Sequence, residues 1–258
     1  MWRCVPASVI GSSHEQNGTP CQDACEYLRL NTGDEELLLV AIADGAGSAK
    51  LSHVGSTEAT RHLLSVVRQA QPKCKEVTQA QARQWMQEVL TQLASVAERE
   101  GTPISQLACT LLLAIVSKDG AVFVQIGDGG WVVQMEDGIR PGTWPQNGEF
   151  ANITTFITTE AALDTLQFVR LDGKVEGFAG FTDGLQTLAL NFGTRQAHVP
   201  FFQPMFDAVR ASGDETELIA PLQGFLASGS VTSRTDDDKT LVLACWREPE
   251  GVPHEVVQ

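Results

Sequence analysis

Residues 37–45 read Leu37-Leu38-Leu39-Val40-Ala41-Ile42-Ala43-Asp44-Gly45, an unbroken apolar run that stops at an aspartate and turns at a glycine. Such a short run, bounded by a turn signal, reads as a buried strand. The same ending recurs where residues 121–126 run into Gly127-Asp128-Gly129 and where residues 177–181 run into Thr182-Asp183-Gly184. A further acid cluster, Asp236-Asp237-Asp238, stands just before a strand-like run over residues 240–245. Each Asp-Gly pair taken alone is an ordinary hairpin connector. Together they deliver carboxylates to the rim of a sheet, where several acids repel one another strongly unless a cation lies between them. An oxygen-only donor set of this kind favours Mg²⁺ or Mn²⁺ over zinc or copper. Two such ions about 3.5–4 Å apart can share a bridging water, lower its pKa and drive in-line attack on a phosphoester.

Outward from this core the chain alternates between helical and strand texture. Val54, Ala59, Leu63, Leu64, Val66 and Val67 recur at helical spacing and predict a helix over 54–71, stopped by Pro72. A second helix is predicted over 78–100 from Ala82, Trp85, Met86, Val89, Leu90, Leu93, Val96 and Ala97, with Gly101-Thr102-Pro103 ending it. Short runs rich in Val, Ile and Leu over 108–116, 121–126 and 131–135 predict a meander of antiparallel strands. Residues 137–152 read as a loop rich in Pro, Gly and Asn, with strands expected at 153–158, 166–171 and 177–181. Helices are predicted over 204–210 and 214–226, and a closing strand over 239–246. Residues 8–21 read as a strand giving way to a loop. No repeat or long linker divides the chain, so residues 1–247 are expected to form a single α+β domain with helices on sheet faces, followed by a polar tail over 248–258. The periodicity does not fix strand order.

Of the 258 residues 43% are apolar, ample for a core, and the formal net charge is −14. That charge argues against binding polyanions, and no basic run points to nucleic acid. The N-terminus lacks a secretory pattern and no apolar stretch approaches the length of a membrane span, so the expected location is cytoplasmic, with no membrane partner. Six scattered cysteines give no disulfide rhythm; Cys21 and Cys25 have no second pair to complete a zinc set.

Gln22-Asp23-Ala24, Ala43-Asp44-Gly45-Ala46-Gly47, Cys109-Thr110, Ile126-Gly127-Asp128-Gly129, Thr182-Asp183-Gly184-Leu185 and Arg234-Thr235-Asp236-Asp237-Asp238-Lys239-Thr240 occur in one order. In that order the chain resembles the PP2C-type (PPM) metal-dependent protein serine/threonine phosphatases, a bacterial branch in particular, from about Gly11 to Ala244. The resemblance implies a four-layer α-β-β-α sandwich with two central antiparallel sheets. It also implies roles: Asp44 bridging two Mn²⁺ or Mg²⁺ ions, Gly45 offering its carbonyl to the second, and Asp183 and Asp237 completing the first. Asp23 would act through metal-bound water, and Asp128 with Asp183 would hold a third, weaker ion. Thr110 would sit near the site in a structural role.

Two departures matter. Gln22 stands where the family has glutamate, and Ala46 where it has a histidine proposed as general acid; the family's phosphate-gripping arginine would fall near Gly18. His14 is the candidate to bind phosphate or protonate the leaving group, since imidazole titrates near neutrality; a plain surface histidine is the alternative. Lys50 and His53 are further candidates for phosphate contact, with simple exposure as the alternative. The readings of function are a monomeric phosphatase acting on phosphorylated proteins (a kinase or its targets), a silent relative that binds phosphoproteins, and a phosphatase for small phosphate esters.

Overall fold

The structure, a computed structural model, describes residues 1–33, 35–146 and 154–248. The chain begins with β1 (Trp2–Val9), α1 (Ser12–Asn17), β2 (Ala24–Thr32) and β3 (Glu35–Ala43), then the long helices α2 (Ser52–Ala70) and α3 (Gln79–Arg99). A run of strands follows: β4 (Leu111–Ser117), β5 (Gly120–Ile126), β6 (Gly130–Met135), β7 (Gly138–Pro141), β8 (Gln167–Asp172) and β9 (Val175–Phe181). The last part holds α4 (Gln186–Ala189), a small hairpin of β10 (Leu190–Asn191) and β11 (Gln196–Ala197), α5 (Val199–Ala211), α6 (Ile219–Leu226), α7 (Gly229–Thr232) and β12 (Lys239–Trp246).

Two five-stranded sheets carry the fold, in the orders β1-β12-β9-β6-β7 and β2-β3-β4-β5-β8. In β3, Leu37, Leu39, Ala41 and Ala43 pack toward α2 and α3, while Leu38, Val40 and Ile42 pack between the sheets with Phe123, Trp131 and Phe178. A strand covered on both faces needs apolar residues at every position, which is why β3 reads as a continuous run. The other sheet is covered outside by Phe201, Phe202 and Phe206 of α5 and by Leu222 and Leu226 of α6. The result is the expected α-β-β-α sandwich.

Local differences from the sequence reading have physical causes. Residues 12–17 form a short helix instead of a loop; none of its residues is buried, and its anchor is Ser13, whose N–H and Oγ both donate to the Asp236 carbonyl (3.0 and 2.8 Å). β2, which no pattern announced, is an edge strand with mixed exposure. The strand expected over 153–158 does not form among the described residues: Thr154 makes a lone bridge, and a turn follows from Ile157. Residue 153 and most of the tail fall outside the described residues. α5 starts at Val199, earlier than expected, and carries Pro204 within it. A mid-helix proline costs about 3 kcal/mol, but three buried phenylalanines contribute roughly 1.5–3 kcal/mol each. Packing wins. The expected helix over 214–226 is a 3-10 turn (Glu215–Leu218), capped by the Asp214 side chain, leading into α6.

The strand order places the site. Ala43 at the end of β3 pairs with Ala24 at the start of β2, and Ile126 at the end of β5 pairs with Leu111 at the start of β4. In the other sheet, Phe181 at the end of β9 pairs with both Gly130 of β6 and Leu241 of β12, and Val9 of β1 pairs with Lys239. The link 127–129 carries the chain from one sheet to the other at this same end. Every strand-terminal acid therefore reaches one rim of the sandwich.

Candidate active site

A cavity of about 310 Å³ opens at that rim, lined by Asp44, Asp128, Asp183, Asp236, Asp237 and His14, together with Ser13, Gln22, Gly45, Ala46, Gly47, Thr110, Thr154 and Phe156. Asp44 is fixed through its backbone: its N–H donates to Thr110 Oγ1 (2.9 Å), and its carbonyl accepts from the Thr110 N–H (2.8 Å). Gly45 lies where a Cβ would come within 2.8 Å of both the Gln22 carbonyl oxygen and the Ser52 side chain, so only glycine lets the two segments close. Asp237 Oδ1 accepts the backbone N–H of Asp238 (2.8 Å). Asp128 Oδ2 accepts from Thr154 Oγ1 (2.5 Å), and its carbonyl from Gln186 Nε2 (2.6 Å).

The electrostatics are those of crowded acids. Burial, then the charges of Asp23 and Asp183, holds the Asp44 carboxyl well above the usual carboxylate range. Asp183 is pushed up to about 6 by burial and then by Asp128, with a hydrogen bond to Asp44 acting the other way. Burial also raises Asp128, against the Thr154 hydrogen bond. One oxygen each of Asp128 and Asp183, and Gln22 Oε1, are buried without a hydrogen-bond partner. Partnerless carboxylate oxygens facing one polar cavity fit a hard divalent cation, which would satisfy them and cancel the repulsion. Among the described residues no three His, Cys, Asp or Glu side chains close into a finished ion cage. The carboxylates ring a cavity instead.

Of the residues singled out in the sequence, Asp44, Gly45, Asp128, Asp183, Asp237 and His14 line the cavity. Asp23 does not: it is buried beside it, where Oδ2 accepts from Thr182 Oγ1 and Thr240 Oγ1 (both 2.8 Å) and Oδ1 has no partner. Burial drives its pKa up to about 8. Lys50 is a correction. Its side chain is exposed and does not reach the cavity, because Ala46 and Ala49 pack on Ala108 and the Lys50 N–H is tied to Gln106 Oε1 (3.0 Å), turning the segment outward. His53, in the first turn of α2, does not line it either.

The residue most plainly missed is Asp238, only 3% exposed. Its Oδ1 accepts the Gly11 N–H and its Oδ2 the Gln22 N–H, both at 2.6 Å. No local signal marked it: strict alternation along an extended chain would set Asp237, not Asp238, apart from the other two. Thr182 and Thr240 were quoted for their motifs; their common bond to Asp23 needed the strand pairing.

The Stp1 serine/threonine phosphatase from Staphylococcus aureus superimposes with a TM-score of 0.65 at 16% identity, covering 96% of each chain. The catalytic domain of the serine/threonine phosphatase PstP, in complex with two manganese ions, superimposes at 0.63 and 16% identity over 95% of this chain and 97% of that one. The fold is thus the two-sheet sandwich of these structures, with an acidic cavity at its rim. The family model described as protein phosphatase 2C matches residues 10–226, and serine/threonine-protein phosphatase 3 of Escherichia coli (strain K12) is 39% identical over 251 residues, 96% of this chain and 99% of the relative. The chain belongs to the protein phosphatase 2C family and is a protein phosphatase.

Proposed function

We propose that this protein hydrolyses phosphoserine and phosphothreonine on phosphorylated proteins, a kinase or its targets, as a cytoplasmic monomer using Mn²⁺ or Mg²⁺. The observation that carries this reading is the meeting of Asp44, Asp128, Asp183 and Asp237 in one cavity, with buried carboxylate oxygens that lack partners. Asp44, the Gly45 carbonyl, Asp183 and Asp237 would hold a pair of ions, and Asp128 with Asp183 a third, weaker one. When bound, such ions neutralise the phosphoryl oxygens and lower the pKa of an attacking water. The chain's own contributions are positional. Thr110 fixes the direction of Asp44, and Thr154 that of Asp128. Gln22, neutral where the family has an acid, removes one negative charge from a cavity that must admit a phosphate dianion. His14 supplies a nitrogen-bearing ring at the cavity wall where the family's arginine and histidine are missing.

Replacing Asp44 with Asn should abolish Mn²⁺-stimulated turnover of p-nitrophenyl phosphate while the circular dichroism spectrum stays that of the wild type. Retained turnover would refute the bridging role. Gln22 and Ala46 also motivate a second reading, a silent binder of phosphoproteins. Wild-type protein that holds a phosphopeptide in calorimetry without releasing inorganic phosphate would establish it. A panel of phosphopeptides and small phosphate esters then separates protein from metabolite substrates.

A further inference from the structure

In the cavity wall, His14 Nδ1 lies 2.9 Å from Asp238 Oδ2, with the histidine side chain 15% and the aspartate 3% exposed. The contact is close but not aligned as a hydrogen bond. Both partners are held by their surroundings. Asp238 is gripped by the N–H groups of Gly11 and Gln22, and α1 is pinned to the Asp236 carbonyl through Ser13. At Gly11 a Cβ would stand 2.3 Å from the Asp237 carbonyl carbon, so the N-terminal segment and the acidic turn lie directly against each other. A buried carboxylate already holding two backbone donors has little freedom to turn, and it faces one ring nitrogen only.

We infer that Asp238 is a positioning residue that fixes the ring of His14 with Nδ1 toward the protein and Nε2 toward the cavity, and that His14 thereby protonates the leaving alcohol. This rests on the phosphatase reading above. In the step, the oxygen of water forms its bond to phosphorus, and the bond from phosphorus to the seryl oxygen breaks with its electron pair on that oxygen. Nε2 of the imidazolium gives its proton to the same oxygen. One hydrogen of the water stays on the phosphate product, and the other passes to solvent, from which the ring is reprotonated. A carboxylate behind one nitrogen sets the direction of the other, the logic of any carboxylate–imidazole pair.

The test exploits leaving groups. A seryl alkoxide needs a proton as it departs, whereas p-nitrophenolate leaves readily without one. His14→Ala and Asp238→Asn are compared with wild type on a phosphoserine peptide and on p-nitrophenyl phosphate at saturating Mn²⁺, with kcat and KM determined separately. The expected result is a loss of kcat on the peptide of about 100-fold for His14→Ala, at least about tenfold greater than the loss on the aryl ester. Asp238→Asn should shift the same ratio in the same direction, and the double variant should be no worse than His14→Ala alone. The ratio is internal to each variant, so it survives partial loss of folded protein. Equal losses on both substrates in Asp238→Asn would make Asp238 a mere strap and overturn its positioning role. A rise in KM on both substrates in His14→Ala, with kcat unchanged, would make His14 a phosphate contact and overturn proton donation. A wild type inactive on both esters would instead sink the phosphatase reading, a distinct outcome.

Discussion

Asp23 should make the metal-free protein less stable as pH rises, and Asp23→Asn should remove that penalty. Its carboxyl is buried, shares Oδ2 between two threonine hydroxyls and leaves Oδ1 without any donor. Its pKa is raised from the usual 3.8 to about 8, first by burial and then by the charges of Asp238 and Asp183, against the two hydroxyl bonds. A carboxyl whose pKa is higher folded than unfolded favours the native state only below the unfolded value. Stability therefore falls as pH climbs through the window from about 4 to about 8. Four pH units at about 1.4 kcal/mol each set a ceiling of about 6 kcal/mol at pH 8. Water entry and relaxation around a buried acid bring the expected effect down to roughly 2–3 kcal/mol. Asparagine keeps an oxygen for Thr182 and Thr240 and puts its amide where no donor is now offered, so the packing survives. Urea denaturation in the presence of a chelator at pH 4, 6 and 8 measures this directly. Asp23→Asn should match wild type at pH 4 and exceed it by roughly 2–3 kcal/mol at pH 8, about 4–12 °C in Tm for a domain of this size. A variant no more stable than wild type at pH 8, or a difference independent of pH, would refute the argument.

Added Mn²⁺ should raise the melting temperature of wild type more at pH 8 than at pH 5, because the cation competes with protons on Asp44 and Asp183, whose pKa values burial raises. Saturation a hundredfold above Kd is worth about 2.7 kcal/mol, and equal shifts at both pH values would count against the metal site. Gly11→Ala should destabilise the protein by roughly 1–3 kcal/mol, since its Cβ would meet backbone atoms of Asp236 and Asp237 inside 2.5 Å and neither can swing aside. An unfolding midpoint equal to wild type would show that this contact gives way.

Much of the fold was legible because the central strands of both sheets are buried on both faces. β3, β4 and β5 are apolar at nearly every position, and the register between them leaves no ambiguity about what they are. Edge strand β2 escaped detection for the opposite reason: half-exposed on both faces, it has neither continuous nor alternating apolarity. Helix α1 escaped because it is only six residues long and buries none of them; isolated helices that short do not persist, and this one stands on its bonds to Asp236. Lys50 and His14 looked alike as positive groups near the acids. A local packing contact of three alanines turned one outward, and a long-range carboxylate holds the other at the cavity.

The sequence by itself determined the chemistry on offer: acids placed where buried strands stop, in a chain without a basic run. Only the tertiary structure decided which of those acids meet. Strand pairing brings together residues separated by more than two hundred positions, such as Gly11 with Asp238, and no local pattern encodes such a partner. That is why three neighbouring aspartates part company, with Asp236 and Asp237 at the cavity and Asp238 turned back to hold the N-terminal segment. For the same reason Asp23, next to a cavity residue in sequence, ends behind the wall under two threonine hydroxyls from the opposite sheet.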